Sequence, residues 1–156
     1  RCAAWNSVSR GLLDVAHTNQ IYFQAFTRAI GETVPDMMVV QIHGFDERKR
    51  ETAAGERASL IVSNGTDRPE PWFPEAALAF GRGLPRESVA VYPLDVRELG
   101  GTTNAQGSLL RQLRHRNFLH LECNRILRQR LLADQSLRSE FMDSLTEFLR
   151  ISNTPR

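Results

Sequence analysis

An almost unbroken apolar run, MMVVQIH, occupies residues 37 to 43, and Gly44 ends it. A β-strand with one solvent face alternates polar and apolar side chains, whereas a continuous run is typical of a strand buried on both faces. The pattern therefore predicts a central strand, flanked by other strands and covered by helices. A helix is predicted over residues 20 to 34, because its apolar side chains recur at helical spacing and Pro35 prevents its continuation.

Strand-like and helix-like stretches alternate along the rest of the chain. Further strands are predicted over residues 58 to 62, 88 to 94 and 118 to 123, and helices over 75 to 83, 109 to 116 and beyond 124. Asp134 is expected to break the last helical region and cap its second part. The densely charged segment 46 to 57 is predicted to be a solvated loop or a mobile flap. This order predicts one α/β domain over residues 1 to 156, a three-layer sandwich with a mainly parallel or mixed sheet.

Composition narrows the possible partners. The 156 residues are 41% apolar and 24% charged, which suits a single globular domain, and no apolar stretch is long enough for a membrane helix. The twenty cationic residues are interleaved with eighteen carboxylates, for a net charge of +2, so neither a nucleic acid nor a membrane is expected as a partner. Because the chain begins with Arg1, we expect that an upstream segment is missing and that the domain associates with it.

The cationic residues are almost all arginine, and Lys49 is the sole lysine. This bias argues against lysine-based chemistry such as Schiff-base formation. It favours planar, bidentate recognition of a carboxylate or phosphate group if the cations act on a ligand.

Two of the predicted strands end in residues that can carry chemistry, His43 and Glu122. Ligands of α/β sheets gather at the carboxyl ends of strands, so both side chains are expected to face a crevice there. The two-residue period of a strand also places His120 on the same face as Glu122, with apolar neighbours on the other face. A buried histidine and carboxylate require partners, which a metal ion or a substrate would supply. For His120 itself, the favoured interpretation is a core histidine with satisfied hydrogen bonds.

Asp14 and His17, three residues apart ahead of the first predicted helix, can share one face of a turn. A carboxylate and an imidazole at this spacing suit zinc. Zinc-dependent hydrolysis needs such ligands, an open position for water and a separate carboxylate that takes the proton of that water. The residues thus predict a zinc site with His17, His43 and Asp14 as ligands and Glu122 as the base.

Simpler interpretations of the same residues stay open. His17 can be a solvent-facing residue before a helix, and His43 can donate to a backbone carbonyl at the end of its strand. Glu122 can pair with Arg116 or Arg125, since arginine is abundant throughout the chain.

Two segments carry a resemblance to a known family. Residues 39 to 45, VVQIHGF, resemble the strand of zinc carboxypeptidase-like enzymes that ends in a metal-binding histidine. Residues 119 to 128, LHLECNRILR, resemble the closing strand of these enzymes, whose glutamate is the general base, and are similar to the corresponding strand of poly-γ-glutamate hydrolases and N-formylglutamate amidohydrolases. The resemblance implies that His43 binds zinc, that Glu122 transfers a proton, and that Arg125 or Arg128 holds the helix or a substrate carboxylate.

The family's first metal pair, a histidine followed by an acidic residue, has only the reversed segment 14 to 17, DVAH, as its counterpart. The polar loop over residues 100 to 107 offers neutral donors, Asn104 among them, that suit an amide carbonyl or a terminal carboxylate. Together these features predict a zinc-dependent amide-bond hydrolase acting on a small peptide-like or glutamyl substrate, which Asn104 and an arginine orient. The alternative is a non-catalytic α/β module that binds a carboxylate-bearing ligand or a protein partner.

Overall fold

The structure, a computed structural model, describes residues 22–34, 37–115 and 117–154. The predicted ligands Asp14 and His17 lie outside the described residues. Within these residues the helices and strands, in chain order, are α1 (Tyr22–Thr33), β1 (Val39–Phe45), α2 (Ala53–Arg57), β2 (Leu60–Ser63), α3 (Trp72–Gly83), β3 (Val89–Val91), α4 (Ala105–Gln112), β4 (Phe118–Asn124), α5 (Arg125–Ala133) and α6 (Gln135–Ser152). A 3-10 helix, Glu47–Lys49, lies between β1 and α2. None of the described helices is long and apolar enough to span a membrane.

The four described strands form one mixed sheet in the order β1-β4-β2-β3. The β1–β4 and β2–β3 pairs are parallel, and β4 pairs with β2 in antiparallel fashion. The predicted α/β architecture with a mainly parallel or mixed sheet is therefore confirmed.

The prediction that the run at residues 37 to 43 is a central strand is wrong for the described part of the chain. This run forms β1, which lies at the edge of the sheet, and the Ile42 side chain is 59% exposed. The strands buried along their whole length are β4 and β2, each of which is flanked by a strand on both sides. Apolar content alone does not distinguish an edge strand from a central strand. Val40 of the edge strand β1 also packs against the main core. The strand also continues to Phe45, so His43 is not its last residue.

The main core lies between one face of the sheet and helices α3, α5 and α6. Leu119 and Leu121 of β4 face this core, together with phenylalanine side chains from α3 and α6. Phe148 is fully buried and its ring centroid lies 5.8 Å from that of Phe73 and 6.0 Å from that of Phe80. Burying each such ring contributes roughly 1.5–3 kcal/mol relative to leaving it exposed. This face of the sheet carries most of the apolar packing and leaves the opposite face for other chemistry.

The opposite face combines a small apolar cluster with polar side chains. The apolar part contains Phe45, Ala58, Ile61, Ala90 and Val96. Helices α1 and α4 pack against each other, and the Gln24 amide of α1 donates to the Ala105 carbonyl at the start of α4. Gln106 of α4 accepts from the Gln41 amide of β1, so helices lie against both faces of the sheet.

The segment 46 to 57 is not the loop or mobile flap that its charge pattern predicts. It contains the 3-10 helix and α2, because Thr52 caps α2 by accepting from the Gly55 N–H. The Glu98 carboxylate holds the segment from outside by accepting from the backbone N–H groups of Glu51 and Thr52. Local capping and one distant carboxylate therefore order this segment despite its many charged side chains.

The predicted role of Asp134 is confirmed, since it separates α5 from α6 and caps α6.

Candidate metal centre

The parallel pairing of β1 with β4 assembles the site. In this register His43 lies opposite Glu122, and Gln41 lies opposite His120. Because side chains alternate along a strand, all four point to the face of the sheet away from the phenylalanine-rich core. The sequence predicted this alternation for β4, and Leu119 and Leu121 on the other face confirm it.

His43, His120 and Glu122 form a compact group that could hold a metal ion. Each offers one ligand atom, and these atoms all lie within 4.8 Å of one another. His120 Nε2 is 3.7 Å from Glu122 Oε1, and the two imidazole ring centroids are 4.7 Å apart. Two imidazoles and one carboxylate form a donor set that catalytic zinc sites use.

Burial sets the electrostatics of this group. His120 is 3% exposed and Glu122 is 9% exposed, while His43 is half-buried. Loss of solvation raises the pKa of the Glu122 carboxyl from 4.5 to about 7, and the charges of Arg50 and Arg128 oppose this rise. A buried carboxylate is costly without positive charge beside it, and a divalent cation would supply that charge.

Arg50 and Arg128 bring positive charge to the carboxyl end of β1. The Arg50 guanidinium lies 5.5 Å from the centre of the Phe45 ring and 3.5 Å from Glu98 Oε2. Arg128 donates to the Phe45 carbonyl and to the Asn124 carbonyl, in both cases at 3.4 Å. Arg128 is thus held against β1, whereas Arg125, also predicted to hold the helix or a substrate, is exposed at the start of α5.

Side-chain amides border the site on its α4 side. Asn104 caps α4 by accepting from the Gly107 N–H at 3.0 Å, and its amide nitrogen donates to Gln41 Oε1 at 2.6 Å. Gln41 Oε1 also lies 3.3 Å from His43 Nε2. Asn104 is only 2% exposed, so both ends of its amide are used inside the protein. Its predicted contact with a substrate stays a prediction.

Within the described part of the chain, Cys123 is the cysteine nearest to this site in sequence, and it does not offer a nucleophile there. Cys123 follows Glu122 directly but faces the main core and is a free, buried thiol. Burial, with the neighbouring Glu122 charge, raises the pKa of this thiol to about 12. The thiolate, which is the nucleophilic form, is therefore scarce at neutral pH.

The structure brings together two of the residues that the sequence singled out and adds others. His43 and Glu122 lie in one group, and Glu122 is among the candidate donors rather than apart from them. Sequence reasoning missed His120 as a ligand, although its position on the same face as Glu122 was the available signal. The approach of Arg50 to Glu122 depends on the folding of segment 46 to 57 and has no signal in the local sequence.

Comparison of the chain with protein-family models, with curated proteins and with solved structures finds no match.

Proposed function

We propose that this protein is a zinc-dependent hydrolase of amide bonds, with the metal at the group formed by His43, His120 and Glu122. The observation that carries the proposal is this group itself, whose three donor atoms lie within 4.8 Å of one another. The substrate class is a small peptide-like or glutamyl compound, as the resemblance of residues 39 to 45 and 119 to 128 to zinc carboxypeptidase-like enzymes implies.

The chemistry of the residues suits the metal. Neutral imidazole and carboxylate are zinc ligands, and three protein ligands leave a position open, as catalytic sites require. Zinc supplies a Lewis acid that polarises a carbonyl and lowers the pKa of a coordinated water. The protein supplies a largely dry surrounding, since His120 and Glu122 are nearly buried, and this strengthens electrostatic interactions in the site.

The arginines near the site fit the proposed substrate. Arg128 lies against Phe45 at the end of β1, and Arg50 lies over the Phe45 ring. A guanidinium group binds a carboxylate in bidentate fashion. We assign to Arg128 the role of attracting a substrate carboxylate, because Arg128 is exposed to solvent. Arg50 instead forms an ion pair with Glu98.

Glu122 has two candidate roles in this proposal. The resemblance implies a proton acceptor, and the geometry favours a third ligand, since Glu122 Oε1 lies 3.7 Å from His120 Nε2. We adopt the ligand role, which places the acceptor of the water's proton outside this three-residue group. In Glu122→Gln, loss of a ligand lowers the zinc affinity, whereas loss of a base alone leaves the affinity unchanged and removes turnover.

A zinc titration followed by an amidase assay tests the proposal. We expect zinc to raise the melting temperature of the metal-free protein, because a ligand at about 100 times its Kd stabilises the folded state by about 2.7 kcal/mol. His120→Ala should remove this shift. His115→Gln is the matched control, because His115 lies outside the group and contacts the Gly31 carbonyl. No shift in the wild-type protein, or an equal shift in His120→Ala, would contradict a metal site here.

A second candidate function rests on a different part of the molecule. An open cavity of about 330 Å³ has Arg111, Arg114, His115, Asn64 and Glu70 among its lining residues. Paired arginines suit a carboxylate-bearing ligand, which is the chemistry of a non-catalytic binding module. This function is favoured if the protein binds a dicarboxylate and Arg114→Ala abolishes that binding, while zinc has no effect on the protein.

A further inference from the structure

A chain of hydrogen bonds leads from the first turn of α4 to His43. The Gly107 N–H donates to Asn104 Oδ1, and Asn104 Nδ2 donates to Gln41 Oε1 at 2.6 Å. The same Gln41 oxygen lies 3.3 Å from His43 Nε2. At the other end of the Gln41 amide, Nε2 donates to Gln106 Oε1 at 3.1 Å.

The direction of every bond in this chain is fixed by one backbone group. A backbone N–H can only donate, so the Asn104 atom facing Gly107 is the oxygen and the atom facing Gln41 is the NH2 group. An NH2 group can only donate, so the Gln41 atom that receives it is the amide oxygen. An oxygen of this kind can only accept, and the His43 nitrogen beside it must therefore carry the hydrogen.

We propose that Gln41 is a positioning residue that holds His43 as the Nε2-protonated tautomer, so that a metal ion in the proposed site would bind His43 through Nδ1. The inference rests on the proposed function in so far as it assigns the metal-binding nitrogen. A metal-ligating histidine commonly donates its other N–H to an oxygen acceptor, which fixes the tautomer and the ring orientation. Removing such an acceptor typically costs 10- to 100-fold in metal affinity.

A neutral amide suits this position better than a carboxylate. Glu122 lies opposite His43 on the neighbouring strand and already places one carboxyl group in a poorly solvated site. A second carboxylate beside it would repel the first, whereas the Gln41 amide accepts the same hydrogen bond without adding charge. Helix α4 is thus connected to His43 through the uncharged amides of Asn104 and Gln41.

The tautomer can be measured without any metal. We would label the histidines with nitrogen-15 and record long-range proton–nitrogen correlations on the metal-free protein at about pH 8, where an ordinary imidazole is neutral. We expect the His43 signals to show hydrogen on Nε2. Gln41→Leu should remove this preference and weaken zinc binding about 10- to 100-fold, whereas Gln41→Glu keeps an acceptor and should retain the tautomer. Gln112→Leu, at an exposed position of α4, is the matched control and should change neither.

The outcomes separate this inference from the proposed function. Hydrogen on Nδ1 of His43 in the wild-type protein overturns the inference, as does a tautomer that Gln41→Leu leaves unchanged. If the Leu variant does not fold, the wild-type tautomer and the Gln41→Glu variant still decide the question. A His43 with hydrogen on Nε2 in a protein that binds no zinc would instead contradict the proposed function and leave the tautomer assignment standing.

Discussion

At the scale of single residues, Glu122 carries the clearest conflict between stability and function. Its carboxyl group is 9% exposed, and burial raises its pKa from 4.5 to about 7. A shift of this size corresponds to roughly 3 kcal/mol of free energy that opposes the charged form in the folded state. A group this costly is retained at functional sites more often than in purely structural positions.

The pKa of Glu122 predicts how stability depends on pH in the absence of metal. Between about pH 4.5 and pH 7 the folded protein binds more protons at Glu122 than the unfolded chain does, so this contribution to stability is lost as the pH rises. We expect Glu122→Gln to raise the free energy of unfolding at pH 8 by up to about 3 kcal/mol and to have little effect at pH 4.5. Urea unfolding at both pH values measures the difference, and a Gln variant that is no more stable at pH 8 would show that the carboxylate is not penalised by burial.

The His120–Glu122 pair shows what single-sequence reasoning can reach at this scale. Alternation along β4 was sufficient to place both side chains on one face, opposite the core leucines. It could not assign a ligand role to His120, because a partly apolar strand makes a satisfied core histidine equally consistent with the pattern. The partner that distinguishes the two interpretations, His43, lies 79 positions before Glu122 in the chain and is brought to the site by the pairing of β1 with β4.

At the scale of elements, most of the helices and strands were predictable and their arrangement was not. The capping roles of Asn124 and Asp134 are local, and the structure contains both caps. The order of the strands depends instead on which apolar faces find each other, and β1 was misjudged as central because its run of apolar residues resembles that of a fully buried strand. The segment 46 to 57 was misjudged because the acceptor that orders it, Glu98, is distant in sequence.

The loop before α4 supports the site through one glycine. Gly101 has a φ of +63°, and a Cβ there would lie 2.9 Å from the ring of His120. We expect Gly101→Ala to cost about 1–2 kcal/mol of stability from the left-handed backbone alone, and to weaken zinc binding because the His120 ring must shift. Chemical unfolding and a zinc titration measure the two effects.

Gly81→Ala is the matched control for this prediction. Gly81 lies on α3, where an added Cβ meets nothing within 4 Å, and alanine favours the helix by roughly 1 kcal/mol. This variant should be at least as stable as the wild-type protein and should bind zinc normally. Equal behaviour of the two alanine variants would contradict the close support of His120 by the loop.

At the scale of the whole molecule, the sheet separates the main hydrophobic core from the candidate metal centre, which lie on its opposite faces. One face packs the phenylalanines of α3 and α6, and the other holds the candidate metal centre beside a smaller apolar cluster. The α/β class followed from the alternation of elements along the chain, since helices and strands in that order pack as layers. The sequence predicted the position of the site only in part. Two of the predicted ligands, Asp14 and His17, lie outside the described residues.

This separation predicts that the core can be weakened without altering the site. Phe148 is fully buried among aromatic rings on the face opposite His120, so Phe148→Ala should cost about 3–5 kcal/mol of stability. At a temperature where the variant is still folded, its zinc affinity should equal that of the wild-type protein. Leu132→Ala, at a side chain 84% exposed, is the control and should change stability by less than about 0.5 kcal/mol. A large loss of zinc affinity in folded Phe148→Ala would show that the two faces are coupled.

The metal centre on β1 and β4 is the central claim, and a crystal structure of the zinc-loaded protein tests it most directly. Anomalous difference maps from data collected on either side of the zinc absorption edge locate the ion without reference to any assumed ligand. We predict a peak within about 2.0–2.2 Å of donor atoms of His43, His120 and Glu122. A zinc-soaked crystal with no peak at these three side chains, or with its peak only elsewhere on the protein, would contradict the account.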